Sequence, residues 1–214
     1  MNAPLAPKFI VIDDFLSSDV LAKIEAHVGA DPNALQLKDF GGDPKEGHYS
    51  ASRKLWVHQD GLGALVEGDF EAAVTDRFDE ICIGTGISPF PIALIETEVC
   101  VQRPGSFFAK HIDTDTREAT PSSSSDRMIS AVFYFPREPL AFAGGELILY
   151  DFTGQVRIAE IAPRHNRLVA FPSFACHEVT PIIASQLGLQ AARWSVNCWL
   201  HRARPVAREN LLPR

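Results

Sequence analysis

Residues 92–113 read IALIETEVCVQRPGSFFAKHID. Two runs rich in β-branched and aromatic residues, Ile92–Arg103 and Phe107–Ile112, flank the turn pair Pro104-Gly105. Proline presets one turn dihedral and glycine supplies the other, so this is strand, turn, strand. The same rhythm continues downstream in Arg127–Pro136, Glu146–Asp151, Val156–Ile161, Arg167–Phe171, Glu178–Ile183 and Arg193–His201, with turns at Gly144-Gly145 and Gly154. About eight short strands at this spacing predict a sandwich or barrel, and the jelly roll is the natural eight-strand solution.

Upstream the pattern differs. Phe9–Ile12 reads as a short strand ended by Asp13-Asp14. Ser17, Ser18 and Asp19 offer helix caps ahead of Val20, Leu21, Ile24 and Val28, which recur at helical spacing. Asp31–Ser52 is polar and Gly-rich and reads as a loop. A second helix is expected over Leu62–Cys82, with Asp60 as its cap and His58 on the surface. The fold class is therefore mainly β with flanking helices. One domain is expected over residues 1–214: residues 1–90 pack on a jelly-roll core at 91–202, and 203–214 form a tail.

The charge balance is mildly acidic, with 20 Lys and Arg against 27 Asp and Glu and a net charge of −7. That argues against general nucleic-acid binding, which rests on neutralising phosphates. No apolar run approaches the roughly 20 residues that span a bilayer. The start MNAPLAPKF lacks a secretory pattern, and Cys82, Cys100, Cys176 and Cys198 are scattered without a C-x-x-C pair. A reducing, cytoplasmic setting is the expectation.

The chemistry gathers in a few residues. His111-Ile112-Asp113 places an imidazole and a carboxylate on one face of a strand, because alternate strand residues point the same way. Such a triplet alone is weak, and His58-Gln59-Asp60 is a second. Only the first ends an apolar strand. His177, 66 residues later, can return beside it in a sandwich of this size. Two imidazoles and one carboxylate with open positions make the facial set of non-haem Fe(II) oxygenases, although zinc accepts the same donors. Arg193 and Ser195 share a face on the last strand, where a guanidinium with a neighbouring hydroxyl suits a carboxylate.

The ordered stretches Pro104–Asp113, Arg127–Phe135, Gly144–Leu147, Arg167–Ser173, His177–Val179 and Arg193–Trp199 resemble the 2-oxoglutarate/Fe(II)-dependent dioxygenases, in the prolyl 4-hydroxylase-like branch. The resemblance covers about residues 92–201, with a weaker echo in Phe9–Leu16. It implies that His111, Asp113 and His177 hold Fe(II). It implies that Arg193 meets the distal carboxylate of 2-oxoglutarate, helped by Tyr134 and Ser195. Gln102 stands where the family often has a tyrosine, nine residues before the first ligand. The implied reaction couples decarboxylation of 2-oxoglutarate by O2 to hydroxylation of an unactivated C–H bond, on a prolyl residue of a peptide or protein. Ascorbate is an auxiliary that the resemblance admits. A free amino acid or small metabolite is the alternative substrate. A non-catalytic binding module and a zinc hydrolase using Glu178 as base are the competing classes. Strand alternation turns Glu178 away from the metal face, against the last of these.

Other residues have plainer expectations. His27 and His48 are solvated, His165 lies in a turn, and His201 sits past the last strand at the surface. Trp199 is core, while Trp56 and Trp194 are core or a substrate platform. Tyr49, Arg103 and Arg117 are candidate substrate contacts, and Arg202, Arg204 and Arg208 make a solvated basic tail. The Ser-rich insertion Thr114–Asp126 and the segment Ala184–Ala192 are surface loops, the former a candidate lid.

Overall fold

The computed structural model describes residues 5–30, 34–37, 55–114, 124–186 and 188–204. The readings made on His48, Tyr49, Arg117, Arg208 and most of the Ser-rich insertion lie outside them.

Two antiparallel sheets face each other. The larger holds β1 (Ile10–Asp13), β2 (Leu35–Leu37), β3 (Leu55–His58), β4 (Ile92–Gln102), β6 (Ser125–Tyr134), β10 (Arg167–Pro172) and β13 (Arg193–Ala203). Their order is β1-β10-β6-β13-β4-β3-β2. The smaller holds β5 (Phe108–His111), β8 (Leu147–Tyr150), β9 (Arg157–Ile161) and β11 (His177–Val179), in the order β5-β11-β8-β9. A two-residue pair, β7 (Ala143–Gly144) with β12 (Ile182–Ile183), closes one end. This is the double-stranded β-helix that the strand rhythm predicts.

Strand alternation divides the interior into two layers. Ala131 and Phe133 of β6, Leu168 and Ala170 of β10, and Val196 and Cys198 of β13 turn outward. There they meet Leu21, Ile24 and Val28 of α1 (Ser18–Ala30), Phe70 and Val74 of α2 (Ala64–Asp76), and Ile81 and Cys82 of α3 (Phe78–Thr85). The intervening residues Tyr134, Val169 and Phe171 turn inward against Leu147, Leu149 and Ile161 of the smaller sheet. Odd-numbered β13 residues and even-numbered β4 residues point the same way, into the space between the sheets.

Several expectations need correcting. The predicted Leu62–Cys82 helix is two helices, because Arg77 leaves helical geometry at φ −102°, ψ 8°. The cap of α2 is Gly63, without a side-chain bond, rather than Asp60. Gly63 is needed there: its φ is +70°, and a Cβ would lie 2.8 Å from the His27 ring. His58 is buried on β3, and its ring lies 5.3 Å from that of His27, itself half-buried. The predicted loop after Asp31 contains β2. The predicted strand Glu178–Ile183 is two, parted at Thr180-Pro181: proline has no N–H for a ladder, and Thr180 bonds Glu146 instead. The last strand runs to Ala203, so His201 is buried and Arg202 belongs to it.

Other expectations hold. Ser17 Oγ accepts from the Val20 N–H at 3.4 Å, capping α1. His165 stands at a turn whose next residue, Asn166, has φ +56°. Asn166 exchanges side-chain bonds with the Leu16 backbone at 2.9 Å each. Beside it Arg167 grips Asp13 with two bonds, tying the N-terminal strand to the sheet. No described helix is long and apolar enough to cross a membrane.

Candidate metal and co-substrate site

β5 and β11 are paired so that His111 and His177 stand directly opposite each other. Their ring centroids are 4.1 Å apart. Asp113 follows β5, and its N–H donates to the Ser173 carbonyl at 2.9 Å, which turns the carboxylate back to the imidazoles. Asp113 Oδ1 lies 3.5 Å from His111 Nε2 and 3.8 Å from His177 Nε2. One donor atom from each residue falls within 4.8 Å of the others. Phe108 and Phe171 wall the two rings at 4.3 and 4.8 Å.

Hydrogen bonding selects the donor atoms. His111 Nδ1 lies 2.8 Å from the Ala109 carbonyl and His177 Nδ1 lies 2.9 Å from the Ala175 carbonyl. A carbonyl only accepts, so each Nδ1 carries the proton and each Nε2 presents its lone pair. Burial pushes the pKa of His177 down to about 4, and the neighbouring His111 adds to this against the pull of Asp113. Burial raises the Asp113 carboxyl, but the two imidazoles and the Ser130 hydroxyl more than reverse that. It is held well below the usual carboxylate range. Near neutral pH the set therefore offers an anionic oxygen and, at His177, a neutral nitrogen.

Deeper between the sheets is a second constellation. Arg193 is 3% exposed. Its Nη1 donates to Gln102 Oε1 at 2.7 Å and approaches Ser195 Oγ at 3.4 Å, while Nε donates to the Gly145 carbonyl at 3.0 Å. The guanidinium lies 4.6 Å from the Tyr134 ring centroid. Among the described residues no carboxylate pairs with it. Among the described residues the buried Tyr134 hydroxyl has no hydrogen-bond partner, and burial raises its pKa. A buried cation without its anion, beside an orphaned hydroxyl, is costly unless a ligand completes it. One cavity of about 270 Å³ reaches both the His–Asp–His set and Arg193.

The seven residues singled out from sequence thus come together. Trp199 is more than core: its indole N–H donates to Asp113 Oδ2 at 3.0 Å. Ser130, which the sequence reading missed, donates to the same oxygen at 2.6 Å. Trp199 lies on the same strand face as Arg193 and Ser195, and that alternation is the signal that could have found it. Glu178 does face away, accepting from Tyr150 and Arg157. Trp194 is core, 6.0 Å from Phe135, with its N–H on the Leu189 carbonyl. His201 bonds Glu96 and Ser125.

Residues 97–201 match the family model of the 2OG-Fe(II) oxygenase superfamily. The part of the chain that carries the site belongs to that superfamily. An uncharacterized PKHD-type hydroxylase of Synechocystis sp. is 29% identical over 136 residues, 60% of this chain and 43% of that protein. A PKHD-type hydroxylase of Shewanella baltica is 35% identical over 82 residues, 38% of this chain and 34% of that protein. The chain thus spans less than half the length of these curated relatives. In fold it is similar to a prolyl-4-hydroxylase of Pseudomonas putida, at TM-score 0.62 and 22% identity over 92% of this chain and 94% of that one. It is also similar to a Trichoplax adhaerens prolyl hydroxylase in complex with a hypoxia inducible factor oxygen degradation domain peptide. There the TM-score is 0.61 at 20% identity, over 91% of this chain and 83% of that one. The superfamily uses Fe(II), 2-oxoglutarate and O2. The donor chemistry here fits that iron, with two imidazole nitrogens and one carboxylate oxygen on one side.

Proposed function

We propose that this protein is a 2-oxoglutarate- and Fe(II)-dependent dioxygenase that hydroxylates a C–H bond of a prolyl residue in a peptide or protein. The observation that carries the reading is the meeting, in one cavity, of the His111–Asp113–His177 donors with a buried Arg193 that has no carboxylate partner among the described residues.

His111 Nε2, His177 Nε2 and Asp113 Oδ1 would hold the metal. When bound, Fe(II) supplies the redox chemistry by which O2 and 2-oxoglutarate give succinate and CO2 and one oxygen enters the substrate. Arg193 binds the distal carboxylate of the keto acid through its charge. Gln102 holds the guanidinium in plane through its carbonyl, and its amide N–H groups are additional donors. The Tyr134 hydroxyl gains a partner in the same carboxylate, and Ser195 supports the fork. The apolar walls Phe108, Phe171 and Leu147 exclude water around the bound groups. A 270 Å³ cavity lies below the common range for small-molecule sites and is shared with the keto acid. That supports a substrate which inserts one side chain and keeps its bulk outside. The four free cysteines support a reducing, cytoplasmic setting.

The test is anaerobic loading with Fe(II), then 2-oxoglutarate and O2, with succinate measured. Proline-containing peptides and free proline follow, read by mass gain of one oxygen. The expected result is succinate from wild type, none from Asp113→Ala, and hydroxylated peptide. Modified free proline without modified peptide would replace the substrate, ligand uptake without succinate would mark a binding module, and turnover indifferent to O2 would mark a hydrolase.

A further inference from the structure

Asp113 has two oxygens in unlike surroundings. Oδ1 faces both imidazole Nε2 atoms, at 3.5 and 3.8 Å. Oδ2 receives two donors, the Ser130 hydroxyl at 2.6 Å and the Trp199 indole N–H at 3.0 Å. Ser130 and Trp199 are direct cross-strand partners on β6 and β13, so both side chains leave the sheet on one face. Ser130 Oγ also lies 3.0 Å from Ser173 Oγ, and because a carboxylate only accepts, the single Ser130 proton is the one that can serve the shorter contact to Asp113.

The indole is itself held. The Arg127 guanidinium lies 3.9 Å from its ring centroid, a cation–π contact. Arg127 in turn makes two bonds to Glu96, at 2.6 and 3.0 Å. Glu96 is the cross-strand partner of Trp199 on β4, and it also meets His201 Nε2 at 3.0 Å. Strands β6 and β13 thus meet on one carboxylate oxygen, and β4, through Glu96, holds the Arg127 that covers the indole.

We propose that Trp199 and Ser130 are positioning residues that commit Asp113 Oδ2 to the protein and restrict the carboxylate to one-oxygen ligation through Oδ1, with Arg127 fixing the indole plane. The assignment rests on the metal reading above. A carboxylate that swung to bind through both oxygens would occupy a position that the keto acid and O2 require. Two saturating donors prevent that swing and fix the rotamer before metal arrives. Outer partners of this kind change metal affinity ~10- to 100-fold when removed.

Two variants isolate the donors. Trp199→Phe keeps a ring beneath Arg127 but removes the N–H, and Ser130→Ala removes the hydroxyl, which Ser130→Thr restores. Mn(II) affinity is measured by calorimetry without co-substrate, and the visible spectrum of the Co(II)-loaded protein reports ligand number. Expected are ~10- to 100-fold weaker Mn(II) binding and an altered Co(II) spectrum in Trp199→Phe and Ser130→Ala, with recovery in Ser130→Thr. Asp113→Ala separates the two readings. If it binds Mn(II) as wild type does, the metal site is misassigned and the positioning role falls with it. If it loses Mn(II) while Trp199→Phe and Ser130→Ala keep wild-type affinity and spectrum, the metal site stands and the positioning role is overturned.

Discussion

Arg193 shows how a single residue reads differently in one dimension and in three. In sequence it is a cation at the start of the last strand, and the common fate of such a residue is a surface ion pair. In the structure it is buried, and its hydrogen bonds run to neutral acceptors, the Gln102 amide and the Gly145 carbonyl. Among the described residues no carboxylate answers its charge. Arg193→Ala should weaken 2-oxoglutarate binding by about 2–4 kcal/mol, on the order of a hundredfold. Mn(II) affinity should change little, and calorimetry with each ligand separates the two effects. Arg193→Lys should recover only part, because an ammonium lacks the planar fork that serves Gln102, Gly145 and a carboxylate together.

His177 gives a prediction in pH. Its folded pKa of about 4 lies below the ordinary value of 6.5. Between those values the unfolded chain takes a proton that the folded protein refuses. The stability tied to this group is complete above pH 6.5 and is lost as pH falls through 4. The metal-free protein should lose on the order of 1–3 kcal/mol across that window. Urea midpoints measured from neutral pH down to the lower edge of the window check it, and a profile flat in that range contradicts the assignment.

At the scale of elements, the site depends on how strands end. Gly144-Gly145 links β7 to β8 with φ of +77° and +75°. A Cβ on Gly144 would lie 2.0 Å from the Pro181 carbonyl oxygen, a backbone atom that cannot step aside. One on Gly145 would lie 2.5 Å from Ile182 Cδ1 and 3.0 Å from Arg193 Cδ. Both positions also need a dihedral that side chains resist. Gly145→Ala should therefore cost about 1–3 kcal/mol of stability and also weaken 2-oxoglutarate binding. Gly144→Ala should cost more stability. Thermal melts and titration of the keto acid measure the pair.

The turn was legible because Gly-Gly between apolar runs has few other uses. Some of the shortest elements were not. β2 and β3 are too short to show a period, and β12 is parted from β11 only because Pro181 interrupts the ladder. The break at Arg77 was hidden for a different reason. Phe78, Ile81 and Cys82 continue an apolar pattern that one helix or two would satisfy equally.

At the scale of the molecule, the helical part and the β core share one apolar layer. Phe70 of α2 is fully buried, with Phe15 at 6.2 Å and Phe133 of β6 at 5.7 Å. Phe15 also touches Phe133 at 5.9 Å. This triangle joins the N-terminal strand segment, a helix and the larger sheet. Phe70→Ala should cost about 3–5 kcal/mol, through lost burial and the cavity left behind. If residues 1–90 and 91–202 form one cooperative unit, as we propose, chemical unfolding of this variant should remain a single transition. Tryptophan fluorescence and far-ultraviolet circular dichroism should then give one midpoint, and two separated midpoints would divide the unit.

Local pattern alone was enough for the strand-rich core, its glycine turns, the first helix and the residue types of a metal site, since period, turn chemistry and donor type are written residue by residue. The sequence also supplied His111 and Asp113 two residues apart, but Asp113 lies beyond the end of β5, and its backbone bond to Ser173 rather than strand alternation turns the carboxylate to the imidazoles. What only tertiary structure decided was the meeting of distant parts. β11 had to pair with β5 to set His177 opposite His111, β4 had to lie beside β13 to give Arg193 its Gln102, and β6 and β13 had to converge before Ser130 and Trp199 could grip Asp113. Those contacts depend on strand order and register across 17 to 91 residues of chain. Strand pairing is selected by the burial of whole sheet faces, and no short stretch of sequence contains that.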